Sequence, residues 1–176
     1  MEYTLHELIA EWKTRKGLEP LRVDAAIKRQ DAFEIDEYIR RIIDSWYERL
    51  LYTAPVEMLE LSDITGTVNI ESLSRGVAVM KLPDDCCRLV ELKMTSWQRP
   101  AVIVTADSMI ARRQSSPFGR AGACNPVAVL QPDGRLMLYS FKTGENPEPE
   151  RILAVTRPQP GIYRCRPQAL DSLFNS

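Results

Sequence analysis

Leu5, Leu8, Ile9 and Trp12 recur at i, i+3, i+4 and i+7, so the chain opens with one apolar stripe on a helix over residues 4–16. Thr4 followed by Glu7 has the spacing of a capping box, and Gly17 is placed to stop the helix just past its last turn. His6 lies off the stripe and reads as an exposed helix residue. Val23, Ala26 and Ile27 behind Pro20 predict a short helix within residues 20–30. Ile39, Ile42, Ile43, Trp46 and Leu50 then define a long helix over residues 36–52, its other side covered by Arg40, Arg41, Asp44, Glu48 and Arg49. Pro55 ends it. Tyr47 and Leu51 widen this stripe beyond what one partner helix covers, which fits either a second contact surface or packing on the β part.

The period then changes. Residues 56–76 carry a weak signal, with Met58, Leu59 and Leu61 apolar and a turn at Gly66 between short β-like pieces, the seam between a helical and a β part. Val77, Val79 and Lys81 alternate with Ala78, Met80 and Leu82, a strand that feeds the turn Pro83-Asp84-Asp85. Past the turn, Val90, Leu92 and Met94 fall on one face and Leu89, Glu91, Lys93 and Thr95 on the other. The strand over 77–82 and the one over 87–97 are predicted to be antiparallel neighbours across the short connection. Pro100 and Val102-Ile103-Val104 predict the next strand, and residues 107–113 a short helix capped by Asp107 or Ser108.

Residues 114–125 hold Ser-Ser-Pro, two glycines, Phe118 and Arg120 without periodicity, and an irregular stretch of that length in a compact domain is usually functional or mobile. Residues 127–130 and 135–140 form a hairpin across Gln131-Pro132-Asp133-Gly134, where Asp-Gly supplies the positive φ of a tight turn. A polar loop over 143–150 leads to a last clear strand over 151–156. Pro158, Pro160 and Pro167 keep the chain extended until Leu170, Leu173 and Phe174 begin a helical stripe. The expected fold class is α+β: an N-terminal helical bundle of two to three helices (1–60), an antiparallel β-rich subdomain (61–160), and an extended tail with a short C-terminal helix packing on the helical part (161–176).

Composition narrows the chemistry. A chain of 176 residues suits one domain, or one with a small subdomain. With 23 basic and 24 acidic residues, the net charge of −1 gives no global reason to expect a nucleic-acid or anionic-membrane partner. No apolar window of about 18 residues predicts a membrane helix, and Met1-Glu2-Tyr3-Thr4 lacks the pattern of a signal peptide, so synthesis in a cytoplasm without export is expected.

Cys86, Cys87, Cys124 and Cys165 form no Cys-x-x-Cys pair and the chain has one histidine, so no metal is expected and the thiols read as small hydrophobes. Nucleotide-binding glycine motifs and Gly-x-Ser-x-Gly are missing from the sequence, so neither a cofactor nor a catalytic set is expected, and the chain reads as a non-enzyme. Asp84 and Asp85 could do acid–base work, but Pro83, Asp84 and Asp85, like Asp133 and Gly134, read as turn residues. Arg112, Arg113 and Arg120, with Phe118 between them, are the basic cluster of interest. A solvated loop, or arginine contacts to a neighbouring subunit, is favoured over phosphate contacts there.

The order Leu82-Pro83-Asp84-Asp85, Arg88-Leu89-Val90, then a strand ending in Ser96-Trp97 and Arg99-Pro100, resembles the ring-forming head-to-tail connector proteins of tailed bacteriophages. The layout is nearest to those of crAss-like phages and related prophages of gut Bacteroidetes. The N-terminal helical pair, Ala54-Pro55, Arg113-Gln114-Ser115-Ser116, Asn125-Pro126-Val127 and Leu136-Met137-Leu138-Tyr139 follow in the same order, so the likeness spans most of the chain.

The resemblance implies a structural virion protein, assembled in the host cytoplasm as a homo-oligomeric ring of twelve subunits in the phage neck. Such a ring connects the portal protein to adjacent neck or tail proteins and lines the DNA channel, with at most weak non-specific DNA contact and no membrane. It needs two different surfaces per subunit. The candidates are the exposed side of the long helix, with Arg40, Arg41 and Tyr47, and the region of Arg112, Arg113, Phe118 and Arg120. Family members often continue into a longer C-terminal helix than this chain has. Two alternatives stand beside this reading. One is a small-ligand or peptide-binding β module with a helical appendage, marked by a deep apolar pocket with convergent polar groups. The other, within the phage, is a tail-proximal ring or tail-completion protein.

Overall fold

The computed structural model describes residues 1–18, 31–73 and 76–174, and the short helix expected within 20–30 lies outside them. In chain order the elements are β1 (Glu2–Thr4), α1 (Leu5–Arg15), α2 (Asp31–Thr53), a 3-10 turn (Val56–Met58), β2 (Ser62–Asp63), β3 (Asn69–Ser72), β4 (Ala78–Lys81) and β5 (Cys86–Met94). They continue with β6 (Val102–Thr105), α3 (Met109–Gln114), β7 (Val127–Leu130), β8 (Arg135–Leu138), β9 (Pro149–Thr156), β10 (Ile162–Arg164) and α4 (Pro167–Phe174). This is an α+β fold with N-terminal helices, a central, largely antiparallel β region and a short C-terminal helix. The chain divides into two compact units, Met1–Glu60 with Thr156–Ser176, and Leu61–Val155.

In the first unit, the capping box forms as its spacing predicts. The Glu7 amide donates to Thr4 Oγ1 at 3.3 Å and the Thr4 amide to Glu7 Oε2 at 2.7 Å, satisfying two N-terminal donors of α1. Helix α2 starts five residues before the expected Asp36, and Ile39, Ile43, Trp46, Leu50 and Leu51 along it are buried. Trp46 Nε1 donates to Ser172 Oγ of α4 at 2.9 Å, and Leu173 and Phe174 complete the buried set. The Arg15 guanidinium sits 4.2 Å from the centre of the Phe174 ring, a cation–π contact. Before α1 the chain forms a strand that sequence periodicity does not reveal: β1 pairs antiparallel with β10, Tyr3 opposite Tyr163.

The second unit is built from two sheets. The larger has the order β3-β4-β8-β7-β6, antiparallel throughout except for the parallel pair β6–β7, and the smaller has the order β2-β9-β5. The expected pairing of the strands on either side of Pro83 does not form. Both edges of β4 are taken, with Met80 opposite Ile70 of β3 on one side and Leu136 of β8 on the other. The turn at Pro83, closed by the Cys86 amide on the Pro83 carbonyl at 3.0 Å, instead carries the chain into the second sheet.

Met80, Ala128, Leu136 and Leu138 from one sheet and Leu92, Met94, Ile152 and Ala154 from the other make the shared core, with Trp97 and Ile64. The expected alternation holds at Leu92 and Met94, with Cys86 in phase with them, but breaks at Leu89, which also packs on this core. On the far face of the larger sheet Val127 and Val129, one step out of phase with Ala128, pack under Ala111 of α3.

Truncating Leu138 to Ala in this core should lower stability by about 2–5 kcal/mol. Gly76→Ala should cost at least about 1 kcal/mol, because Gly76 has φ +72° and an added Cβ would lie 2.2 Å from the Phe141 carbonyl oxygen. Denaturant unfolding followed by tryptophan fluorescence checks both.

Candidate functional site

Ser108 starts α3, its Oγ accepting the Ala111 amide at 3.1 Å, and Ala111 and Gln114 are the residues this short helix buries. The opposite side carries Met109, Ile110, Arg112 and Arg113, all exposed. The chain beyond α3 is held from inside by Gln114. Its Nε2 donates to the Ile110 carbonyl at 3.2 Å, its Oε1 accepts the Ala121 amide at 3.0 Å, and its own carbonyl accepts from Arg120 Nε at 3.0 Å. The Gly119 amide closes a turn on the Ser116 carbonyl at 3.1 Å, and a Cβ at Gly119 would approach the Arg113 carbonyl oxygen to 3.0 Å. The stretch without periodicity is therefore a braced loop. At its tip Phe118 is 100% exposed, and Met109 nearby in sequence is 69% exposed.

The candidate interface residues divide accordingly. Arg112, Arg113 and Phe118 are at the surface on one continuous segment. Arg40 and Arg41 are exposed along α2 and lie within 3.5–3.8 Å of Glu37 and Asp44, the usual ion-pair lacing of a solvated helix face. Tyr47 does not belong to a surface. It is buried, its hydroxyl donates to the Arg164 carbonyl at 3.1 Å and accepts the Arg164 amide at 2.9 Å, and its ring meets Tyr163 edge-on at 5.1 Å. Its polar tip completes the backbone hydrogen bonding of β10, which a helical stripe alone cannot reveal. Arg120 is likewise engaged within the fold: besides its bond to Gln114, its guanidinium lies 5.7 Å from the centre of the Tyr139 ring. Gln114 is the residue that sequence reasoning missed, because one polar side chain in a six-residue helix has no periodicity to betray its burial.

The turn residues converge elsewhere. Pro83, Asp84, Asp133 and Gly134 border a groove of about 480 Å³ whose apolar lining includes Leu89 and Leu130. Gly134 adopts φ +78° as the Asp-Gly pair predicts, and its amide closes the turn on the Gln131 carbonyl at 3.1 Å. Arg135, whose Nε lies 2.6 Å from Asp133 Oδ2, holds the Asp133 carboxyl below its ordinary range. Lys81 Nζ lies 3.7 Å from Asp84, and Asp85 is exposed beside it. Cys86 also lines the groove, and burial, followed by the neighbouring Cys87 and Asp85, pushes its thiol up to about 11. Among the described residues no three His, Cys, Asp or Glu side chains are grouped to hold a metal ion, and no helix is long and apolar enough to cross a membrane.

A scan against protein-family models and a search of curated proteins return no match to this chain.

Replacing Gln114 by Leu should release the loop at a cost of about 1 kcal/mol or more. Hydrogen exchange should read this as loss of protection at the Ala121 amide. Thiol labelling near neutral pH should modify the exposed Cys124 first and leave Cys165, which is buried with its thiol raised to about 11, unreacted until the chain unfolds. Mass mapping of partly labelled protein tests the order.

Proposed function

We propose that this chain is a structural subunit that assembles with copies of itself into a closed ring in the neck of a tailed phage, joining portal to tail. The observation that carries the reading is the fully exposed Phe118 on a loop braced from within, flanked by exposed Met109, Ile110, Arg112 and Arg113. A solvated phenyl forgoes roughly 1.5–3 kcal/mol that burial would return. Holding it on an ordered loop has a physical purpose when another surface covers it. Phe, Met and Arg are also the residue types enriched at the centre of protein interfaces.

The layout shared with head-to-tail connectors supplies the type of assembly: a ring, twelve-fold by resemblance, whose subunits meet through two unlike surfaces. The exposed Arg40–Arg41 side of α2 remains available for the portal, a neighbouring neck or tail protein, or loose contact with packaged DNA. A tail-proximal ring would use the same surfaces.

The groove at the Pro83 and Gly134 turns favours a second reading, a binding module for a small ligand or peptide. Its volume and mixed lining fall within the usual range for such sites.

Native mass spectrometry or light scattering at micromolar concentration, alone and with the portal protein of the same genome, tests the first reading. A discrete ring mass or portal-dependent assembly is expected. A monomer under both conditions would sink the ring and direct attention to the groove.

A further inference from the structure

The braced loop has a counterpart in charge on the same chain. Residues 108–132 contain Arg112, Arg113 and Arg120 and no acidic residue, whereas residues 143–150, Thr-Gly-Glu-Asn-Pro-Glu-Pro-Glu, contain three glutamates and no basic residue. The acidic segment is also ordered. Its Glu148 carbonyl accepts the Thr95 amide at 3.0 Å, Glu150 is bonded by Lys93 Nζ at 2.6 Å, and the Glu145 carboxylate accepts the Lys142 amide at 2.8 Å. Two of its carboxylates are thus occupied within the fold. Glu148 is exposed between the half-buried Pro147 and Pro149.

We propose that Arg112, Arg113 and Phe118 of one copy dock on the Pro147-Glu148-Pro149 segment of the next copy, with the phenyl ring against the prolines and a guanidinium paired with the Glu148 carboxylate. The inference rests on the ring reading and names one of its subunit contacts. The two segments lie on different layers of the β unit. The arginine loop covers the outer face of the larger sheet through Ala111, Val127 and Val129, and the acidic segment is bonded to the end of β5 in the smaller sheet. Where each copy uses one patch on the copy before it and the other on the copy after it, the contact is heterologous and propagates head to tail, as a ring requires.

Proline-rich chain is already extended and loses little conformational freedom when it meets an aromatic side chain. Three other acidic sites are already engaged within the fold. Asp133 is paired with Arg135, Asp84 with Lys81, and Glu37 lies between Arg40 and Arg41.

The test compares full-length wild type with F118S, R113E, E148R and the R113E/E148R double variant by sedimentation velocity and native mass spectrometry across a concentration series, with and without portal. All substitutions fall on exposed residues, and far-ultraviolet circular dichroism confirms that each variant folds. The proposal expects F118S to raise the concentration needed for ring assembly at least about tenfold. Each single charge reversal should raise it about two- to fivefold, and the double reversal should recover most of that loss. A wild type that forms rings while F118S and E148R assemble at the same concentration would overturn this contact and leave the ring reading standing. A double reversal no better than the singles would overturn the pairing. A F118S chain that still forms rings but no longer binds portal would reassign the loop to portal and also overturn it. A wild type that never assembles would remove the ring reading and this contact together.

Discussion

Met80, Leu136 and Leu138 from one sheet pack against Leu92, Met94 and Ile152 from the other, and all six side chains are fully buried. Each contributes roughly 1.5–3 kcal/mol by leaving water, an upper estimate because the unfolded chain already shields part of this surface. The contact also fixes what happens elsewhere in the β unit. Once Ala128 of β7 and Leu136 and Leu138 of β8 commit one face to the inter-sheet core, Val127 and Val129 must face the other way and need a cover. The crossover from β6 to the parallel strand β7 supplies it, and α3 is the part of that crossover lying over the valines. A helix of six residues can bury only one narrow side. Met109, Ile110, Arg112 and Arg113 are left outside as a direct consequence of core geometry.

Gln114 converts that leftover surface into a defined one. A long irregular connection would ordinarily spend conformational entropy on every contact it makes with a partner. Here one buried amide side chain bonds the Ile110 carbonyl behind it and the Ala121 amide ahead of it, while Arg120 returns to the Gln114 carbonyl and lies over Tyr139. The loop's shape is thus set by the fold itself. Arg120, which reads from sequence as one of a cluster of interface cations, serves that shape from inside. The outward-facing chemistry is that of Arg112, Arg113 and Phe118, beside the exposed Met109 and Ile110.

What was legible in the sequence is what is decided locally. Thr4 with Glu7, Ser108 before α3, and Asp133-Gly134 in the hairpin each place a polar group or a positive φ within a few residues of the backbone it serves, and each behaves as its spacing predicts. Period-two alternation likewise separates Ala78 and Met80, which are buried, from Val79 and Lys81, which are not. It could not tell which strand lies alongside, because alternation describes a face and pairing is made along an edge. The turn at Pro83 therefore suggested a hairpin where the chain crosses to another sheet. Tyr47 failed for a related reason: a helical stripe marks the residue as facing inward or toward a partner, and only the distant Arg164 backbone, which its hydroxyl bridges, decides between them. Strand β1 is three residues long and exists through its pairing with β10 near the other end of the sequence.

The two candidate surfaces of the β unit differ in how much of their chemistry is already spent. At the groove, Asp133 is held by Arg135 and Asp84 lies near Lys81, so a charged ligand would have to compete with pairs the fold has made. At the loop tip, the phenyl ring of Phe118 is wholly in water while the backbone beneath it is hydrogen-bonded and braced. Folding has satisfied the loop and left the side chain it displays unsatisfied. An apolar group kept in water on an ordered support is stabilised by association with a complementary surface. In the proposed contact, the acidic proline segment of a neighbouring copy would offer both an apolar edge and the opposite charge. That difference in unspent chemistry is what supports the proposal of assembly over that of ligand capture.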